Sequence, residues 1–260
     1  MANKFLEELF GMDGQVAVVV GGTGVLGGEI AQGIAKAGAT VVVAGRGEDR
    51  GLERVASIKA AGGEASFASV DVCSRSSIEA LLATTLDRYG KVDMLVNGAG
   101  VNAANDYLDI TDEDWDRIID ANLKATHLGC QIFGRKMVEQ RDGAILNIGS
   151  ANVDIPLSRV FAYSAAKAAV ANLTKNVARE FAPHNVRVNC LCPGFFPAEQ
   201  NRKILKPERV VSIMQQTPMA RFGTPDELIG ASLLMLAKKA GSFITGATYY
   251  VDGGFTAMRF

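Results

Sequence analysis

Val16-Ala17-Val18-Val19-Val20 runs directly into Gly21-Gly22-Thr23-Gly24-Val25-Leu26-Gly27-Gly28, and a helical pattern follows from about Glu29. A run that is apolar at every position, rather than at every second one, is what a strand covered on both faces requires. Gly22, Gly24 and Gly27 satisfy G-x-G-x-x-G on the turn that follows. In a strand–turn–helix setting such glycines permit the tight turn and let backbone N–H groups reach a pyrophosphate. The helix N-terminus adds a favourable dipole for the negative charge. Alone the motif is weak, because 28 of the 260 residues are glycine. Its position after the first strand carries the reading toward a dinucleotide site.

Outward from that loop, short β-branched runs alternate with longer helical patterns. Strands are predicted at Val16–Val20, Thr40–Ala44, Ala65–Val70, Val92–Val96, Ala144–Ile148, Val186–Leu191 and Thr248–Val251. Helices are predicted near Glu29–Ala37, Glu48–Ala60, Ser76–Tyr89, Asp112–Gln140, Tyr163–Phe181 and Pro225–Leu236. This βαβα alternation predicts an α/β fold: a single Rossmann-type, doubly wound domain over 1–260, with a parallel seven-stranded sheet and helices on both faces. The rhythm breaks only around 192–222, where Pro193, Gly194, Pro197, Pro207 and Pro218 flank a polar, partly helical insertion.

Composition narrows the function classes. Lys and Arg number 27 against 28 Asp and Glu, for a net charge of −1. Without a basic field, no nucleic-acid partner and no anionic membrane surface is expected. Hydrophobic residues at 48% suit a large buried core and exclude disorder over most of the chain. No apolar run approaches the length of a membrane span, and Met1 to Gly14 lacks the continuous apolar stretch of a secretory signal. Cys73, Cys130, Cys190 and Cys192 form no CxxC pair, and His127 and His184 are the only histidines. Reduced thiols, no metal site and a cytoplasmic location are the expectation.

The end of the second strand bears on the nucleotide. An acidic residue there would bond the adenosine ribose hydroxyls and select NAD, whereas this chain reads Val43-Ala44-Gly45-Arg46. A guanidinium suits a 2′-phosphate, so NADP is preferred over NAD. The competing reading is an exposed Arg46 paired with Glu48 or Asp49. Asp71, after the third strand, would bond an adenine amino group or cap the next helix.

Four further signals sit at strand ends or on flanking helices: Asn97-Gly98-Ala99-Gly100, Asn122 in a long helix, Ser150 after the fifth strand, and Tyr163-x-x-x-Lys167. The last pair, at i and i+4, projects from one helical face. With the glycine loop, Pro193-Gly194 and Val251-Asp252-Gly253-Gly254, these segments make the chain resemble the short-chain dehydrogenase/reductase family from about residue 12 to 255. Val20 stands where the family usually has Thr, Gly98 where Asn is common, and the glycine spacing over 21–27 departs from the usual one.

The resemblance implies a catalytic set of Asn122, Ser150, Tyr163 and Lys167. Tyr163 would exchange a proton with the substrate oxygen. Lys167 would stabilise its phenolate and hold the nicotinamide ribose. Ser150 would bond the substrate oxygen, and Asn122 would bind a water linking Lys167 to solvent. It also implies cofactor contacts from Gly21, Gly22, Thr23, Gly24, Val25, Leu26, Arg46, Asp71, Val72, Asn97, Ala99, Gly100, Pro193 and Gly194, besides Tyr163 and Lys167. The segment 193–222 would cover the substrate. Its string Pro-Gly-Phe-Phe-Pro-Ala-Glu-Gln-Asn-Arg (193–202) and Thr217-Pro218-Met219-Ala220-Arg221-Phe222-Gly223 are similar to the sugar-acid branch, which includes D-mannonate oxidoreductase and gluconate 5-dehydrogenase. Arg202 or Lys203 would meet a substrate carboxylate, or the polar run is a solvated helix face. The alternatives are a 3-oxoacyl-thioester reductase, with Arg202, Lys203 and Lys206 facing an acidic carrier, and a non-catalytic redox sensor. Family members are commonly tetramers, so a homotetramer is expected. Asp112–Gln140, Tyr163–Phe181 and the C-terminal Phe243, Ile244, Tyr249, Tyr250, Phe255 and Phe260 are the interface candidates, unless the monomer buries these aromatics itself.

Overall fold

The computed structural model describes residues 2–197 and 207–257. Its strands are β1 Val16–Val20, β2 Thr40–Gly45, β3 Glu64–Ser69, β4 Met94–Asn97, β5 Gly143–Ile148, β6 Val186–Pro193 and β7 Thr248–Val251. All pair in parallel in the order β3-β2-β1-β4-β5-β6-β7. The order reverses direction between β1 and β4, and in such sheets ligands bind outside the carboxyl ends of the strands at that switch point.

The unbroken apolar runs have a direct cause. Ala17, Val19, Val41, Val43, Met94 and Val96 belong to one core, against Ile30 and Ile34 of helix α2 (Val25–Lys36). Their alternates Val18, Val20, Val42, Ala44 and Leu95 belong to a second core on the opposite face. That core is closed by Ile78 and Leu81 of α4 (Arg75–Tyr89) and by Phe133 and Met137 of α6 (Ala125–Gln140). Side chains alternate across a strand, so both faces bury only if every residue is apolar.

The remaining helices are α1 Ala2–Phe10, α3 Glu48–Ala60, α5 Asp112–Ile119, α7 Phe161–Phe181, α8 Pro207–Gln216 and α9 Ile229–Leu236. Several differ from the sequence reading: the helix expected over Pro225–Leu236 opens as a 3₁₀ turn, Pro225–Leu228, before α9. Helix α2 starts at Val25 rather than Glu29, because Gly24 already serves as its N-cap. The helix expected over Asp112–Gln140 is interrupted by a π turn, Asp120–Lys124, between α5 and α6. The α1 helix was not anticipated. Strand β4 starts two residues later than expected, because Asp93 turns inward and its Oδ2 accepts the N–H of Val16 at 2.8 Å.

Within the break after β6, α8 supplies the expected helical part, whereas the polar run Glu199 to Lys203, and Lys206, fall outside the described residues. The C-terminal aromatics divide. Phe255 is buried and stacks edge-on with Phe195 at 5.2 Å, while Phe243 and Tyr249 are exposed. Phe260 lies outside the described residues. No helix among the described residues is long and apolar enough to cross a membrane.

Candidate active site

The glycine loop is shaped by three different demands. Gly21 takes φ +83°, and a Cβ there would lie 2.6 Å from the Gly98 carbonyl, so the β1 and β4 loops close on each other only without one. At Gly27 a Cβ would meet the Gly21 carbonyl oxygen at 2.4 Å, which brings α2 tightly against the turn. Gly24 has extended backbone and no capping side chain, leaving the first-turn N–H groups of α2 without a side-chain acceptor. The loop therefore works through Gly21, Gly24 and Gly27, with Gly22 packed against Val19.

Beside this loop is a cavity of about 550 Å³ lined by Gly24, Arg46, Asp71, Val72, Ala99 and Gly100, among others. Arg46 is exposed and forms no ion pair with Glu48 or Asp49. Asp71 does not cap α4. Its Oδ1 accepts the N–H of Cys73, and Ser74 is the N-cap. Val25 borders an adjoining pocket with Thr23 and Gly24. Pro193 and Gly194 stand at the end of β6, where Gly194 packs against Asp252 and donates to Val251 rather than lining the cavity.

Asn97 turns away from the cavity. Its Nδ2 donates to Asn147 Oδ1 at 2.9 Å, and Asn147 Nδ2 donates to Thr174 Oγ1 at 2.9 Å. This buried chain braces β4, β5 and α7 behind the site. Asn147 and Thr174 carried no signal in the sequence, because lone polar residues in apolar runs point to nothing until the sheet register pairs them.

Ser150, Tyr163, Lys167 and Asn122 converge at the carboxyl edge beyond Gly100. Ser150 follows β5 directly, and its hydroxyl bonds the Tyr163 phenol, which burial nonetheless pushes above the usual phenol range. The Lys167 ammonium lies 5.6 Å from the Tyr163 ring centroid and donates to the Ile148 carbonyl at 2.8 Å. Burial pulls its pKa down to about 8. Burial thus pushes each group of the pair toward its neutral form.

Asn122 is fully buried in the π turn. Its Nδ2 donates to the carbonyls of Val101 (2.8 Å) and Ile118 (2.9 Å), while its Oδ1 has no partner. A Cβ on Gly100 would stand 2.4 Å from that Oδ1 and 3.7 Å from Lys167 Nζ, so the missing side chain leaves room between the two. Buried acceptors are rarely left unpaired. Behind Ser150, Cys190 and Cys192 face each other at 3.8 Å and fill the space beside Gly149.

Residues 23–256 match the family model described as enoyl-(acyl carrier protein) reductase. The chain belongs to the short-chain dehydrogenase/reductase family. Among its relatives, 5-keto-D-gluconate 5-reductase of Escherichia coli (strain K12) is 31% identical over 250 residues, covering 96% of this chain and 98% of that protein. The 3-oxoacyl-[acyl-carrier-protein] reductase of Chlamydia pneumoniae is 34% identical over 243 residues, covering 94% and 97%. The crystal structure of a gluconate 5-dehydrogenase from Burkholderia cenocepacia J2315, in complex with NADP and tartrate, superposes with a TM-score of 0.92 at 30% identity, covering 97% and 99%. The short-chain dehydrogenase/reductase reading made from motifs is thus shown independently across the chain's length.

Proposed function

We propose that the protein is an NADP-preferring oxidoreductase that interconverts a carbonyl and a secondary alcohol on a sugar acid or polyol. The observation that carries this is the convergence of Ser150, Tyr163, Lys167 and Asn122 at the end of a dinucleotide-shaped cavity. The residues fit a dinucleotide: a glycine cradle that closes only without a Cβ at Gly21 and Gly27, N–H groups of α2 without a capping side chain, and an Arg46 with no ion pair among the described residues, for a 2′-phosphate. Asp71 and Val72 would flank the adenine, and Ala99 and Gly100 the ribose side.

A bound NADP supplies or accepts the hydride at the substrate carbon. Tyr163 Oη holds the proton that the substrate oxygen takes up on reduction, and its raised pKa keeps that proton in place near neutrality. Ser150 Oγ bonds the same oxygen and fixes its distance from Tyr163. Lys167 Nζ would bind the ribose hydroxyls, and the space beside Gly100 would admit a water between Lys167 and Asn122 Oδ1 that returns protons to the site. The described residues at either end of segment 193–222 would border the substrate. Similarity to the gluconate and ketogluconate enzymes supports the sugar-acid class. The resemblance to 3-oxoacyl reductases supports a second reading, thioester reduction by the same residues. A sensor without turnover would not need the complete set.

We further infer a cytoplasmic homotetramer. Free thiols support the first inference. Exposed Phe243 and Tyr249 near the edge strand β7, with Trp115 and Phe161 exposed on α5 and α7, support the second. The deciding experiment follows reduced-cofactor absorbance with NADPH and NADH against 5-ketogluconate, fructuronate and an acetoacetyl thioester, with Tyr163→Phe as control. Tyr163-dependent turnover of a keto-sugar acid is expected. Turnover of the thioester alone would replace the substrate class.

A further inference from the structure

Cys190 and Cys192 stand two residues apart on β6, so both side chains leave the same face of the sheet. Their sulfurs are 3.8 Å apart and fully buried, and neither takes part in the hydride and proton steps. They pack against Val170 and Ala171 of α7, with Val153 and Tyr250 alongside. Both press on the residue before Ser150: a Cβ on Gly149 would lie 2.6 Å from Cys192 Sγ and 2.8 Å from Cys190 Sγ. The Ser150 N–H also donates to Cys192 Sγ. The position of the Ser150 hydroxyl therefore depends on where these sulfurs sit.

The two thiols are unequal. The bond from Cys192 and the nearby Lys167 charge hold Cys190 below the usual thiol range, whereas that bond and burial push Cys192 above it. Cys190 is thus the readier nucleophile, and Cys192 keeps its proton. Burial pushes Cys130, which has only Asn97 and Asn147 beside its sulfur, up to about 12.

Two residues of a parallel strand span about 6.6 Å between Cα atoms, near the upper end of what a disulfide bridges. Closing one here would bend the end of β6. That end can give, because the ladder with β5 stops at Leu191 and Cys192 pairs with β7 alone. A bond closed under strain is readily reduced again, as labile disulfides are and structural ones are not.

We propose that Cys190 and Cys192 form a peroxide-sensitive dithiol, whose closure to a disulfide displaces Gly149 and Ser150 and halts turnover. The loss of turnover rests on the oxidoreductase reading above. The Cys190 thiolate attacks one oxygen of the peroxide, the O–O bond breaks, and the departing hydroxide takes the Cys192 proton to become water. The Cys192 sulfur then attacks the Cys190 sulfenic acid and expels its hydroxide. The proton that Cys190 had released completes the second water. Two thiols are oxidised by two electrons, and one peroxide is reduced.

The test uses a Cys73→Ser background, which removes the exposed thiol. The reduced enzyme is treated with hydrogen peroxide, its remaining thiols are blocked with N-ethylmaleimide under denaturing conditions, and it is digested with trypsin. Peptide 188–202 holds both cysteines and no other. It should emerge unblocked and lighter by two hydrogens, in step with a fall in turnover of about 10-fold or more. Dithiothreitol should reverse both changes. Cys192→Ala should form no disulfide and keep a sulfenic acid at Cys190 that dimedone traps. A pair that stays reduced under peroxide overturns the proposal, as does a closed disulfide with turnover unchanged. If the reduced enzyme turns over no substrate, the oxidoreductase reading falls, while the peptide mass still decides the chemistry of the pair.

Discussion

Lys167 donates to the carbonyl of Ile148, the last residue of β5, at 2.8 Å. One strand end thereby fixes both Ser150, two residues further on, and the charge on α7. The same burial that makes the contact possible lowers the lysine pKa from 10.5 to about 8. An ammonium proposed to bond ribose hydroxyls is therefore poised to lose its proton near pH 8.

The binding consequence is that dinucleotide affinity of the free enzyme should fall as pH rises through about 8. Lys167→Met should bind more weakly at pH 7 and lose this pH dependence. Fluorescence titrations at about pH 6.5 and about pH 9, at one fixed ionic strength, would show it. The stability consequence has the opposite sign. Between about 8 and 10.5 the unfolded chain holds the Lys167 proton and the folded chain does not, so this group makes stability rise with pH across that window. The melting temperature of Lys167→Met relative to wild type should therefore be most favourable near pH 7 and decline toward pH 10.5. A difference that stays flat with pH would contradict the depressed pKa.

Two glycine variants separate folding from binding. Gly27→Ala drives a Cβ to 2.4 Å from a backbone oxygen, so it should lower stability by roughly 1–3 kcal/mol and abolish dinucleotide binding. Gly24→Ala meets only the Gly21 oxygen at 3.3 Å and projects from an exposed N-cap. It should leave denaturant unfolding nearly unchanged yet weaken dinucleotide binding, by crowding the phosphates.

Tyr163→Phe removes the proton and the bond to Ser150 without emptying the space. Turnover should drop by about 10²- to 10⁴-fold, with dinucleotide affinity kept within about twofold. Ser150→Ala should lower kcat in the same sense. A Tyr163→Phe enzyme retaining a tenth of wild-type kcat would remove Tyr163 from the proton step.

Much of this was legible in the sequence because its causes are local. All-apolar runs reveal strands buried on both faces, and Tyr163 and Lys167 share a helical face by spacing alone. The π turn was not legible, since one extra residue per turn at Asp120–Lys124 leaves the apolar spacing on either side intact. Asn147 was missed because its partners, Asn97 and Thr174, are assembled by sheet register and by α7, not by proximity in the chain.

The π turn supplies the last test. Asn122 Nδ2 ties Val101 and Ile118, so the amide both pins the loop after β4 and serves a carbonyl within the widened helix. Asn122→Asp replaces that donor with an acceptor facing two carbonyl oxygens, and should cost about 2–4 kcal/mol in urea unfolding followed by circular dichroism. Asn122→Ala removes the side-chain donor from both carbonyls and should cost a similar amount. If Asn122 Oδ1 also holds the relay water, variants that still fold should lose more in kcat than in KM, because proton resupply fails while substrate contacts persist. Equal losses in both would confine Asn122 to holding the π turn in shape.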